Sequence, residues 1–305
     1  MSSEAEGRFH IVDVSQITSS PLRDTIRTDL RTDDGVRIEA IYQPCTASVT
    51  DPAVTATAVT GTDSSRAVPV PGGPAALTSS TAVVVAHGFT GSVDRPALRR
   101  AVRAFARHAA VVSFSFRGHG RSGGLSTVGD REVLDLAAAV RWARELGHAR
   151  VVTVGFSMGG SVVLRHAALE RGTGAHTDAV AAVSAPARWY YRGTPSMRRV
   201  HWVVTRPVGR LVGRVGLGTR IDRKDWSPVP LAPYEAVPLI APTPLLVVHG
   251  DRDPYFPVDH PRMLVDAAAA AGAPAELWLE RGMGHAENAA GEELLDRLGA
   301  WLARP

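Results

Sequence analysis

"VVTVGFSMGG", residues 151–160, decides how the chain reads. Val151, Val152 and Val154 are β-branched residues that suit a buried strand, while Ser161, Val162, Val163, Leu164, Ala167 and Ala168 read as the start of a helix. Between them lies Gly155-Phe156-Ser157-Met158-Gly159, a G-x-S-x-G turn. In so tight a strand-to-helix turn, a Cβ two residues to either side of the serine would meet neighbouring backbone, so glycine is expected at both places. The turn lifts the Ser157 hydroxyl to the end of the strand, where a nucleophile is accessible. Taken alone, the stretch also reads as an ordinary turn with a surface serine.

Outward from this turn the chain alternates strand and helix patterns. "TAVVVAHG" (81–88) reads as a strand, and Pro96 to His108 as a helix with apolar positions at Leu98, Val102, Phe105 and Ala109. "AAVVSFSF" (109–116) is the next strand, followed by a helix from Arg131 to Leu146 with a buried face of Val133, Leu134, Ala137, Val140 and Trp142. "DAVAAVSAP", "PLLVVHG" and "AELWLE" are later strands; a helix is expected over 257–271 and a final one from Glu287 to Leu302. This alternation predicts a parallel sheet covered by helices on both faces. Near the start, "RTDDGVRIEAIYQP" reads as a turn at Asp34-Gly35 and a strand through Val36, Ile38, Ala40 and Tyr42. Its antiparallel partner is expected near Phe9–Val14. Residues 46–80, rich in Ala, Thr, Ser, Pro and Gly, read as a flexible insertion.

The chain has 305 residues, 45% hydrophobic and 21% charged, the balance of a soluble globular protein able to bury a large core. Its net charge is +4, yet Lys224 is the only lysine and no basic patch interleaves with aromatics, so nucleic-acid binding is not expected. Cys45 is the single cysteine, which excludes an internal disulfide and a cysteine metal cluster. Residues 1–20 lack the apolar core of a signal peptide, and no apolar run is long enough to span a bilayer. A cytoplasmic protein without stable membrane insertion is expected; the oligomeric state is left open.

Residues 187–242 interrupt the alternation. Val200, Val203, Val204, Val208, Leu211, Val212 and Val215 mark one helical face, with Arg206, Arg210 and Arg214 on the other. Pro207, Gly209, Gly213 and Gly216 make it an imperfect helix. Trp189, Tyr190, Tyr191, Trp202 and Trp226 gather here. The segment reads as a small cap (lid) over the carboxyl edge of the sheet. From Arg188 to Lys224 it carries nine arginines and one lysine against Asp222 alone. An arginine-coated outer face is the expectation, and attraction of an anionic substrate or membrane surface the alternative.

A serine hydroxyl needs a base, and the base an orienting group. Of eleven histidines, His285 lies in "ERGMGHAEN", a glycine-punctuated loop between the last strand and the last helix. It therefore falls at the same sheet edge as Ser157. The candidate acids, Asp251 and Asp253 in "HGDRDP", follow the preceding strand. Asp253 is favoured because Pro254 biases it to an extended conformation, and Asp251 is expected to cap backbone N–H groups of the turn. An oxyanion would receive the N–H of Met158, at a helix start, and that of Phe89, after His87-Gly88.

His87-Gly88-Phe89-Thr90, "FRGHGRSGG" (116–124), Gly155–Gly159, and "HGDRDP" with "GMGH" together resemble the α/β-hydrolase superfamily, from about Val36 to the end. The resemblance implies a mostly parallel eight-stranded sheet with helices on both faces and a small helical cap. It also implies a carboxylic-ester hydrolase acting through an acyl-enzyme, with Ser157, Asp253 and His285 in the chain order of that superfamily. "HGFTG" is similar to the loop of cinnamoyl and feruloyl esterases, short-chain esterases and monoacylglycerol lipases, and departs from "HGGG". Arg117, His119, Arg121 and Ser122 are expected to be structural or peripheral, His119 being the rival base. His87, Trp189, Tyr190 and Trp202 are expected to touch a small-molecule ester substrate. No metal or organic cofactor is implied. Serine at the turn sets the chain apart from the dehalogenases and epoxide hydrolases, which use aspartate there. Amide, peptide or thioester hydrolysis by the same residues, and a non-catalytic ligand-binding role, are the alternatives.

Overall fold

The computed structural model describes residues 24–46 and 80–305. The strand expected near Phe9–Val14, the leader region over 1–20, and the 46–80 insertion apart from its two end residues lie outside them. The strands are β1 (Ile26–Arg31), β2 (Arg37–Gln43), β3 (Thr81–Ala86), β4 (Ala110–Phe114), β5 (Arg150–Phe156), β6 (Val180–Val183), β7 (Leu245–Gly250) and β8 (Ala275–Glu280). They form one sheet in the order β1-β2-β4-β3-β5-β6-β7-β8. β2 runs antiparallel to β1 and β4, and every pair from β4 to β8 is parallel. The partner of β2 is thus the segment directly before the Asp34-Gly35 turn. Its sequence, IRTDLR, buries no residue fully and gives little apolar signal.

β3, β4 and β7 are buried along their whole length, as central parallel strands require. Alternate side chains of β3 enter two cores. Ala82, Val84 and Ala86 pack with Leu136 and Val140 of α2 (Glu132–Glu145), Val162 and Leu164 of α3 (Met158–Leu169), and Leu264 of α7 (Asp259–Ala270). Val83 and Val85 pack with Leu98 and Phe105 of α1 (Pro96–Phe105) and Leu295 and Trp301 of α9 (Glu292–Leu302). Helices therefore cover both faces. The buried side of α2 runs through Leu136, Ala139, Val140 and Ala143, and the expected Val133, Leu134 and Trp142 are only partly buried at its margin. The expected final helix is two: α8 (Ala286–Ala289) ends where Ala290 turns extended, and Gly291 caps α9.

A buried ion pair fastens the β1–β2 hairpin to this frame. The Arg117 guanidinium donates to Asp135 Oδ1 from Nε at 3.0 Å and Nη2 at 2.8 Å, and to Asp34 Oδ2 from Nη1 at 2.7 Å. Asp34 is the turn residue of the hairpin and Asp135 lies on α2, so one side chain joins three separate elements.

Between β6 and β7 lie α4 (Pro195–Thr205), α5 (Pro207–Gly216) and the single turn α6 (Pro233–Ala236). Thr194 caps α4 by accepting from Met197 N at 3.2 Å and donates to Tyr255 O at 2.9 Å. The expected imperfect helix breaks in two at Arg206, which is extended ahead of Pro207. Residues 219–222 pin this insertion to the body: Arg220 N donates to Gly118 O and Asp222 N to Ser126 O, each at 2.8 Å. Gly118, with φ +74°, permits this, since a Cβ there would stand 2.4 Å from Arg220 O. "RGHGRS" is therefore the seat of the insertion.

Chain order puts β3 next to β4 on one side and β5 on the other. The crossover helices diverge there, and the crevice opens at the carboxyl ends of β3 and β5.

Candidate active site

Ala86 pairs in register with Gly155, so His87-Gly88-Phe89 and Phe156-Ser157 leave the sheet side by side. Ser157 sits at φ 52°, ψ −116°, a strained conformation for a residue with a side chain. The surrounding glycines make room for it. A Cβ at Gly155 would stand 2.1 Å from Gly159 O, and one at Gly159 2.4 Å from Ala86 O. Both close approaches are to backbone, as the tight turn requires.

The next strands supply the other two groups. His285, after β8, stands with Nε2 2.8 Å from Ser157 Oγ and Nδ1 2.7 Å from Asp253 Oδ2, which follows β7. A carboxylate only accepts, so Nδ1 carries the proton and Nε2 is left to accept from the serine hydroxyl. Asp253 Oδ1 accepts from Tyr255 N at 2.8 Å and Phe256 N at 3.1 Å. Burial by itself would raise the Asp253 pKa, but the hydrogen bond and charge of His285 and the two N–H donors outweigh it. They hold the carboxyl below its ordinary range. This aspartate is built to stay ionised and to hold the imidazole in one tautomer. Asp251 lies outside the chain of contacts. It accepts from Gly282 N at 2.6 Å, capping the turn after β8 instead of its own.

Phe89 and Met158, the expected oxyanion donors, follow the ends of β3 and β5. Met158 opens α3, so its N–H points out of the first helical turn. Phe89 lies in the turn closed by Gly91 N donating to Gly88 O at 2.9 Å, and both residues line the cavity over Ser157.

His87 is instead buried away from that cavity. Its Nε2 accepts from Phe116 N at 3.0 Å and its Nδ1 donates to Gly88 O at 2.7 Å, so it bolts the β3 exit to the β4 exit. Burial, with His119 beside it, lowers its pKa to about 3 and keeps it neutral. The expectation that His87 touches substrate is corrected by this. His119, the rival base, is also fully buried; its Nδ1 lies 2.9 Å from Arg117 O, and its ring packs edge-on to His87 and Phe89.

Several residues here were not among the candidates read from the sequence. Ser184, at the end of β6, accepts from Ala286 N at 3.0 Å and so fixes the residue after His285, which has φ +53°. The rings of Tyr255 and Phe256 lie 4.3 and 5.7 Å from the His285 ring and limit its motion. Glu287 is buried under the β3 exit, with Oε1 accepting from Gly88 N at 3.3 Å, and burial raises its pKa. Glu132 gathers the loop 126–129: its carboxylate accepts from Ser126 Oγ and Thr127 N at 2.8 Å and Gly129 N at 2.9 Å. An acid two residues past a candidate histidine was the one available cue for Glu287.

Over Ser157 stands a cavity of about 600 Å³. α4 and its neighbours form much of its wall through Met197, Val200, Val204 and Ile221. Trp189 and Tyr190 line it too, with Trp189 stacked edge-on to Trp226 at 5.1 Å. Trp202 does not line it: the side chain is 45% exposed on the outer side of α4, beside Arg198 and Arg199. Among the described residues, no group of three or more His, Cys, Asp or Glu is arranged to hold a metal ion.

The family model for the alpha/beta hydrolase fold matches residues 81–198. A monoacylglycerol lipase of Mycolicibacterium smegmatis is 28% identical, over 61% of this chain and 75% of that one. Among solved structures, the Pyrococcus furiosus esterase Pf2001 superposes with a TM-score of 0.64 at 20% identity, covering 92% of each chain. The alpha/beta hydrolase GrgF from Penicillium gives 0.62 at 17% identity, over 92% of this chain and 98% of that one. XC6422 of Xanthomonas campestris, a serine hydrolase without a lid, gives 0.52 at 18% identity, over 92% of each. Sheet order, strand-end turns and these similarities agree, and the chain has the α/β-hydrolase fold.

Proposed function

We propose that the protein is a serine hydrolase of carboxylic esters, with Ser157 as nucleophile, His285 as general base and acid, and Asp253 as its orienting partner. The observation that carries this reading is the unbroken chain Asp253–His285–Ser157, at 2.7 and 2.8 Å, beneath a largely apolar cavity. His285 takes the Ser157 proton as Oγ attacks the ester carbonyl. The N–H groups of Phe89 and Met158 stabilise the oxyanion, and His285 returns the proton to the leaving alcohol. Water, deprotonated by the same imidazole, then releases the acid from the acyl-enzyme. The lipase and esterase relatives support ester over other acyl substrates, and we read the β6–β7 insertion as a cap whose inner wall receives the acyl chain.

The test compares the wild type with Ser157→Ala on p-nitrophenyl esters of increasing acyl length. Turnover should fall on the order of 10⁶-fold in the variant. Equal turnover by both proteins would remove Ser157 from the reaction. A folded wild type inactive on the whole series would move the reading to amides or thioesters.

A further inference from the structure

α5 wears its apolar side outward. Gly209 and Gly213, one turn apart, are its only buried residues and meet the neighbouring chain: a Cβ at Gly209 would stand 2.3 Å from Trp202 O, and one at Gly213 3.3 Å from Ile221 Cδ1. Val208, Leu211, Val212 and Val215 follow the i, i+3, i+4, i+7 spacing of a single stripe, and they are 62, 60, 44 and 79% exposed. None of the four lines the cavity. Such a stripe on a helix is what a core-facing helix normally hides, and here nothing among the described residues covers it.

The charge around it is equally unbalanced. Of the nine arginines between Arg188 and Lys224, only Arg188 lies within 4 Å of a carboxylate among the described residues, paired with Asp259 at 3.0 Å. Arg206, the N-cap of α5, and Arg214, within it, are exposed. Arg210 caps α4 by donating to Val204 O and Thr205 O, each at 3.1 Å. On α4 the exposed Trp202 shares a shallow notch with Pro195, Arg198 and Arg199.

We propose that α5 is a peripheral docking helix for an anionic lipid surface, its aliphatic stripe entering the interface and the arginines meeting the headgroups. An exposed apolar stripe on a helix whose other face carries uncompensated arginine has the chemistry of an interfacial helix. A second copy of the chain fits less well, because a symmetric contact through this face would oppose the same unpaired arginines. A free anionic substrate leaves the stripe unexplained, since the stripe is outside the cavity. α4, which packs on α5, lines that cavity, so docking would hold the site's wall against the lipid.

Sedimentation with vesicles tests this without reference to turnover. Wild-type protein should bind vesicles of phosphatidylcholine with about one-third phosphatidylglycerol far better than phosphatidylcholine alone, and added salt should weaken the binding. Leu211→Glu with Val215→Glu should weaken it at least tenfold. Arg206→Gln with Arg214→Gln should weaken it roughly five-fold per arginine, on the anionic vesicles only. Circular dichroism and turnover of p-nitrophenyl acetate report whether each variant is folded, and Val208→Gln serves as a milder probe of the stripe. No vesicle binding by the wild type, or binding indifferent to the stripe variants, overturns the proposal. A dimer in sedimentation velocity that the same glutamates dissolve would assign the stripe to a second copy instead.

Discussion

At the carboxyl edge of the sheet the candidate site residues are held from several directions, whereas α4 and α5 of the β6–β7 insertion are held by few. α3, behind Ser157, buries ten consecutive residues from Met158 to Ala167. α4 buries none, and α5 buries only two glycines. Both regions use glycine for close approach, to opposite ends. Gly155 and Gly159 let backbone meet backbone so that a strained serine can be fixed. Gly209 and Gly213 let α5 sit against α4 while committing none of its aliphatic side chains. The candidate site is over-determined by the core, whereas the outer face of α5 is left uncommitted.

If that contrast is right, damage at the sheet edge should be large and damage on the insertion slight. Asp253→Asn keeps the shape but offers His285 the wrong hydrogen-bond polarity. It should cost kcat roughly 10⁴-fold on any ester the wild type cleaves, with an unchanged circular dichroism spectrum. A loss below tenfold would mean that the imidazole is oriented by something else, with the Tyr255 and Phe256 rings the first suspects.

Arg117→Met strands Asp135, which is buried, and frees Asp34 in the hairpin turn. Urea unfolding should report a loss of about 3–5 kcal/mol, the usual result of breaking one side of a buried pair.

Acid should act through the buried histidines. Burial lowers the pKa from its ordinary 6.5 to about 3 for His87 and His166 and to about 4 for His260. Below pH 6.5 the unfolded chain takes up protons that the folded chain refuses, so stability is greatest above that pH and falls as acid is added, down to about pH 3. Urea titrations at stepped pH should read this as a progressive loss of unfolding free energy. Both ring nitrogens of His166 lack a hydrogen-bond partner among the described residues, so His166→Leu should flatten part of this slope. An unchanged slope would place the proton uptake elsewhere.

The sharpest form of the comparison pairs two leucines. Leu164→Ala in α3, at 0% exposure, should cost about 2–5 kcal/mol, whereas Leu211→Ala in α5, at 60%, should stay within about 0.5 kcal/mol. Equal costs would show that α5 is packed after all.

The candidates read from the sequence at the site are those marked by a local pattern of strand, turn and glycine. Ser157 needed only its own strand, turn and flanking glycines to be found, and His285 and Asp253 needed only their places after consecutive strands. Residues whose role is a long-range contact stayed hidden. Ser184 acts on Ala286, 102 positions away, and Glu287 on Gly88, 199 positions away, and neither pairing leaves a periodic trace. His87 misled for the same reason: its place beside the oxyanion turn is legible, but its burial depends on Phe116 across the sheet.

The sequence by itself determined the alternation of strand and helix and the tight turn at Ser157, because each follows from backbone sterics and side-chain periodicity over a few neighbours. Tertiary structure alone decided which way side chains face. In α5 the same i, i+3, i+4, i+7 stripe that would announce a core points outward, because helical periodicity says that a face exists and not what lies opposite it. The seating of the insertion on Gly118 was settled in the same way, by segments about a hundred residues apart meeting at one surface.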